Sequence, residues 1–127
     1  MIIDKPWGTE EIWATTHHSV GKILTINPDQ RLSRKYHKIK NHNIRVLRGA
    51  IVFEEGPFCA GGDIHEVLLT EGMTYLMPAN VIHRLCAGPK GATLLELSGA
   101  GSSDSVRLED DYRRVTRVPD RAPQSEK

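Results

Sequence analysis

A run of short apolar segments, each cut off by turn-forming residues, constrains this chain more than any other feature. Val20–Ile26 alternates apolar and other residues and stops at Asn27-Pro28-Asp29. Ile44–Leu47 runs to Arg48-Gly49, and Ala50–Glu54 follows at once, which predicts two strands or one strand bent at the glycine. After a Gly61-Gly62-Asp63 turn come Ile64–Leu69 and Met73–Met77, the latter ending at Pro78-Ala79-Asn80. Val81–Cys86 and Ala92–Leu97 complete the series. No long window carries a 3.6-residue apolar repeat, so a helical domain is excluded. Strands at such spacing predict an all-β sandwich or barrel, and closing a barrel also removes exposed sheet edges.

The 127 residues suit one domain with a real core. Seventeen basic side chains face sixteen acidic ones, so the basic excess expected of a nucleic-acid or membrane-surface binder is missing. No apolar run approaches the roughly 20 residues that span a bilayer, and none at the N-terminus has signal length. Two cysteines, Cys59 and Cys86, are too few for a disulfide framework and read as small buried residues. A cytoplasmic location is expected. The stretch 115–127 contains Pro119, Pro123 and mostly polar residues, and is expected to be a loose tail beyond a domain spanning 1–114.

Six histidines are present. His37 ends the expected strand Arg31–His37, and His42 lies five residues on, across a short connection and just before the next strand. His83 starts another strand. Inward positions on neighbouring barrel strands converge, so His37, His42 and His83 can meet at one divalent ion such as Zn, Fe, Mn, Co or Ni. Three imidazoles leave positions open for water or substrate, as catalytic metal sites require. His17, His18 and His65 fit better as exposed loop or strand residues.

Four segments together resemble the cupin superfamily, and more narrowly the cupin domain of type II mannose-6-phosphate isomerases, including those fused to guanylyltransferases. Lys5–Trp13 is similar to the family opening KPWG-x-EE-x-W. Gly21–Leu24, Gln30–Ser33, Tyr36-His37 and Val46–Gly49 resemble the first cupin motif. Gly72, Pro78 and His83 match the second, G-x5-P-x4-H. Val106–Tyr112 resembles RLEDDYGR, with Arg113 where that motif has Gly. The resemblance implies a single-domain double-stranded β-helix, or jelly-roll barrel, and aldose–ketose isomerisation of a sugar phosphate at one divalent metal ion. It also implies a homodimer pairing through N-terminal strands, to which Ile2, Ile3 and Ile12 are candidate contributors.

Carried over position by position, the family's metal shell falls on Lys35, His37, His42 and His83. His42 replaces a Glu and keeps a donor atom. Lys35 replaces a Gln or His, and a protonated ammonium has no lone pair and repels a cation. Either the three histidines hold the ion and Lys35 turns toward an anionic substrate, or Lys35 substitutes electrostatically for a lost metal. Lys35, Arg107 and Glu11 are the candidate catalytic residues; Trp7, Tyr36, Lys35 and Arg107 are the candidate substrate contacts. Arg107 can clamp an anion or pair with Glu109 or Asp110. Trp7 and Trp13 read as core or barrel-rim packing ahead of a sugar platform. Two other classes stay open: a three-histidine non-haem iron dioxygenase and a non-catalytic small-molecule-binding cupin.

Overall fold

The computed structural model describes residues 1–56, 63–101 and 104–112, and all regular structure among them is β. In chain order the strands are β1 (Ile2–Lys5), β2 (Gly8–Thr15), β3 (Ser19–Ile26), β4 (Arg34–His37), β5 (His42–Gly56), β6 (His65–Leu69), β7 (Thr74–Met77), β8 (Ile82–Gly99) and β9 (Ser105–Glu109). Every pairing between them is antiparallel.

Two long strands organise the rest. The first half of β5 pairs with β7 and with the second half of β8, which continues to β3, β2 and β1. The second half of β5 pairs with β6 and with the first half of β8, which continues to β4 and then β9. The chain therefore forms two layers joined through β5 and β8. Leu24, Ile44, Val46 and Leu94 from one layer share a core with Ile51, Phe53 and Leu85 from the other.

The bend in β5 lies where the sequence places a glycine. Along that strand His42, Ile44 and Val46 are buried, as are Ile51 and Phe53. The step from Val46 to Ile51 breaks a two-residue period, which would turn the second pair outward. Register shifts between Val46 and Arg48 and between Gly49 and Ile51 absorb the odd residue. Gly49 has φ +78°, and a Cβ there would lie 2.2 Å from the carbonyl oxygen of Gly91. The two strands approach so closely at the bend that only glycine fits.

Several expected elements change extent. Ile44–Leu47 and Ala50–Glu54 are one bent strand, and Val81–Cys86 and Ala92–Leu97 are joined as β8. The expected strand Arg31–His37 shortens to Arg34–His37, with Arg31 making an isolated bridge to Cys86. Trp13 is 52% exposed rather than packed in the core, lying over Gly21 beside a register shift in β2. Ile2 is exposed, whereas Ile12 turns inward. Cys59, the turn residues Gly61 and Gly62, Arg113 and the tail 115–127 lie outside the described residues.

Candidate functional site

Strand alternation builds the site. In β4, Lys35 and His37 share one face, and Arg34 and Tyr36 the other. The first pair lines a cavity of about 200 Å³. Lys35 is in register with His83 of β8 on one side and Arg107 of β9 on the other. His42 opens β5 on the same cavity wall, and β8 contributes Glu96 as well as His83. Asp104, just before β9, completes the rim.

All three histidines expected to converge line this one cavity and are buried. The His37 ring stacks on His42 with centroids 3.8 Å apart and lies 5.2 Å from the ring of His83. Phe53 stacks in turn on His83 at 5.7 Å. Each imidazole has an acceptor near Nδ1. For His37 it is Asp104 Oδ1 at 3.2 Å, for His83 the Val81 carbonyl oxygen at 3.1 Å, and for His42 a Glu96 oxygen at 3.5 Å, an ion-pair distance.

Burial sets the charge states. It pushes His37 down to about 3, with His42, His83 and Lys35 adding to the effect. Burial also lowers His83 to about 4, against the pull of its bond to Val81. Both are neutral at pH 7, the form in which imidazole offers a lone pair. Burial alone would raise Glu96, but His42, Lys22 and Lys35 outweigh it and hold the carboxyl at about 2. Asp104 is likewise held below its ordinary value, because the Lys40 and Ile39 backbone N–H groups and His37 overcome the cost of burial.

This donor set fits a divalent metal. His42 Nε2 is buried without a partner, and its Nδ1 has only Glu96 at the ion-pair distance, a costly state that a ligand on Nε2 would relieve. Ligand atoms of His37, His42 and Asp104 all lie within 4.8 Å of one another. His83 shares the cavity but falls outside that tightest trio, so the structure adds a carboxylate where the sequence pointed to imidazole alone.

The other candidates divide. Trp7 is buried in the core and also forms part of the cavity wall. Glu11 is not on that wall. Its neighbour Glu10 is, 3.4 Å from Lys22, because alternate residues of β2 face opposite ways. Tyr36 points away from the cavity for the same reason. Arg107 is buried and in register with Lys35 but does not line the cavity. Glu109 pairs with Arg34, and Asp111 with Arg31 and Arg84. His17, His18 and His65 are exposed, as expected.

The sequence reading missed Glu10, Glu96 and Asp104. Glu96 carried a usable signal, since an acid inside the apolar strand Leu94-Leu95-Glu96-Leu97 must be paired if it is buried. Asp104 sits in a Gly/Ser-rich stretch that looks like any polar loop.

No protein-family model matches the sequence, and no curated protein matches it. Solved structures do match in shape. The capsular polysaccharide assembling protein CapF from Staphylococcus aureus superposes with a TM-score of 0.75 at 15% identity, over 86% of this chain and 32% of that one. KdgF from Halomonas gives 0.66 at 17% identity, over 78% and 86%. A Klebsiella pneumoniae protein with a double-stranded β-helix domain gives 0.65 at 16% identity, over 80% and 84%. The fold is the double-stranded β-helix. The chain spans about a third of the length of CapF. Among the described residues no helix is long and apolar enough to cross a membrane.

Proposed function

We propose that the cavity is a metal-dependent active site for a small anionic sugar derivative, with mannose-6-phosphate-isomerase-like aldose–ketose isomerisation as its reaction. The observation that carries the reading is three buried imidazoles around one cavity, with Lys35 in register beside His83. His37, His42 and His83 would hold the ion. The chemistry it would supply is to polarise the carbonyl and hydroxyl oxygens borne by the two adjacent carbons between which a proton moves. The chain supplies the rest. Lys35 offers its Nζ to the anionic group of the substrate, and Trp7 gives the cavity an apolar wall that excludes water. Glu10, buried on the wall beside Lys22, replaces Glu11 as the carboxylate within reach of substrate. Arg107, behind Lys35, adds positive charge that favours an anion. The polysaccharide-assembly role given for the Staphylococcus neighbour is in line with sugar chemistry. A homodimer is part of the same reading, checked by light scattering on the eluted protein.

The test has two steps. Protein purified without added ions is analysed for metal, then incubated in deuterated water with fructose-6-phosphate or mannose-6-phosphate. Bound metal with exchange at carbon 2 of mannose-6-phosphate, or at carbon 1 of fructose-6-phosphate, supports the isomerase. Iron with oxygen uptake supports the dioxygenase class instead. One observation favours a binding module, namely that Lys35 lines the cavity in register with His83, where its ammonium would repel a cation. No metal and no exchange would leave that reading.

A further inference from the structure

The acceptors around the three rings fall into a pattern. A neutral imidazole carries its proton on one nitrogen and its lone pair on the other, and the partner of one nitrogen decides which. His83 Nδ1 faces a backbone carbonyl, which only accepts, so the proton sits on Nδ1. The carboxylate oxygens of Asp104, 3.2 Å from His37 Nδ1, and of Glu96, 3.5 Å from His42 Nδ1, point to the same choice.

We propose that Asp104 and Glu96 are positioning residues that fix His37 and His42 in the Nδ1–H form, so that all three histidines carry their lone pair on Nε2. The proposal rests on the metal-site reading above and adds the residues that prepare the site before an ion arrives. Asp104 lies close enough to count as a ligand, but both its oxygens are engaged. Oδ1 faces His37, while Oδ2 accepts from the Ile39 and Lys40 backbone N–H groups at 2.8 and 2.7 Å. It therefore ties the turn between β4 and β5 to the ring that precedes it, fixing where His37 and His42 stand relative to each other. Glu96 faces His42 from β8 at the longer distance of 3.5 Å, in register with Lys22 and Ile44. Such carboxylate–imidazole pairs orient a ring and raise its basicity toward a metal.

The decisive measurement uses the full chain without metal. Long-range ¹H–¹⁵N correlation spectra at pH 8 report the tautomer of each histidine, and Co(II) absorbance titrations report affinity. Wild-type His37 and His42 should both appear as Nδ1–H. Asp104→Ala should disturb the His37 tautomer and Glu96→Ala that of His42, each weakening Co(II) binding by about 10–100-fold. Asp104→Asn and Glu96→Gln keep an acceptor oxygen and should recover most of that loss. An Nε2–H form or an imidazolium at either histidine in the wild type would overturn the proposal, and that spectrum needs no variant to fold. Unchanged tautomers in the alanine variants would overturn it too. If the wild type binds no Co(II) but shows both Nδ1–H forms, the metal reading fails and the tautomer assignment stands.

Discussion

Acidifying the chelated protein from pH 7 to pH 5 should remove a large part of its stability, and the buried histidines set the amount. An unfolded histidine titrates near 6.5, whereas in the fold His37 is held at about 3 and His83 at about 4. Between these values the unfolded chain takes up a proton that the folded chain refuses. Stability is thus undiminished above the unfolded value and falls as the pH drops toward the folded ones. Each histidine contributes a slope of about 1.4 kcal/mol per pH unit. From pH 7 to pH 5 the pair removes roughly 3–4 kcal/mol, out of the ~5–15 kcal/mol typical of a domain. Glu96 and Asp104 offer no compensation. Their folded values are depressed, so what they contribute is lost only below the ordinary carboxylate range. Urea unfolding with EDTA, followed through the fluorescence of buried Trp7, should show the midpoint falling by about 2 M. His83→Gln should remove about half of the effect. A midpoint that stays flat between pH 7 and 5, or a His83→Gln protein with the full dependence, would refute the reasoning.

Four further outcomes follow from the same contacts. His83→Ala should abolish metal binding, measured by metal analysis, while circular dichroism still reports an all-β protein. Lys35→Gln should tighten metal binding in a competition titration, because it removes a positive charge and supplies an oxygen donor. Asp111→Ala should cost about 1–3 kcal/mol in urea unfolding. Most of that loss comes from Arg84, 2% exposed, whose guanidinium keeps only the Leu32 carbonyl among the described residues; the exposed Arg31 pair adds little. Burial, with Glu54 beside it, pushes the Cys86 thiol up to about 11. In a Cys59→Ser background its alkylation should therefore keep accelerating well above pH 9, and a rate that levels off near pH 8 would contradict this.

The parts of the molecule legible in the sequence are those governed by local periodicity. Alternation located the strands, and Gly49 marked the bend because no other residue tolerates the approach of Gly91. The short connection after His37 was readable as a device for aiming two imidazoles at one point, and both do reach one cavity. What escaped depended on parity and on distance along the chain. Choosing between Glu10 and Glu11 needs the face of β2 that turns inward, and a hairpin whose register shifts after Ile12 does not reveal this from composition. The Lys5–Trp13 motif pointed to the right strand, one residue off the cavity.

Asp104 shows the harder limit. Its partners, His37, Ile39 and Lys40, lie more than sixty positions earlier, and it meets them because β9 returns alongside β4. Its neighbours in sequence give no hint of this, since a polar loop residue and a carboxylate holding a histidine look alike until the strand pairing is known. The same holds for Lys35, which the sequence could place among the ligand positions but not weigh. Pairing puts it between His83 and Arg107, and its charge reaches Glu96 as well as the imidazoles. A cavity that joins neutral nitrogens with Glu10, Glu96 and Asp104 and with Lys22, Lys35 and Lys40 balances its charges without an ion. That balance makes metal content the measurement on which the functional reading turns.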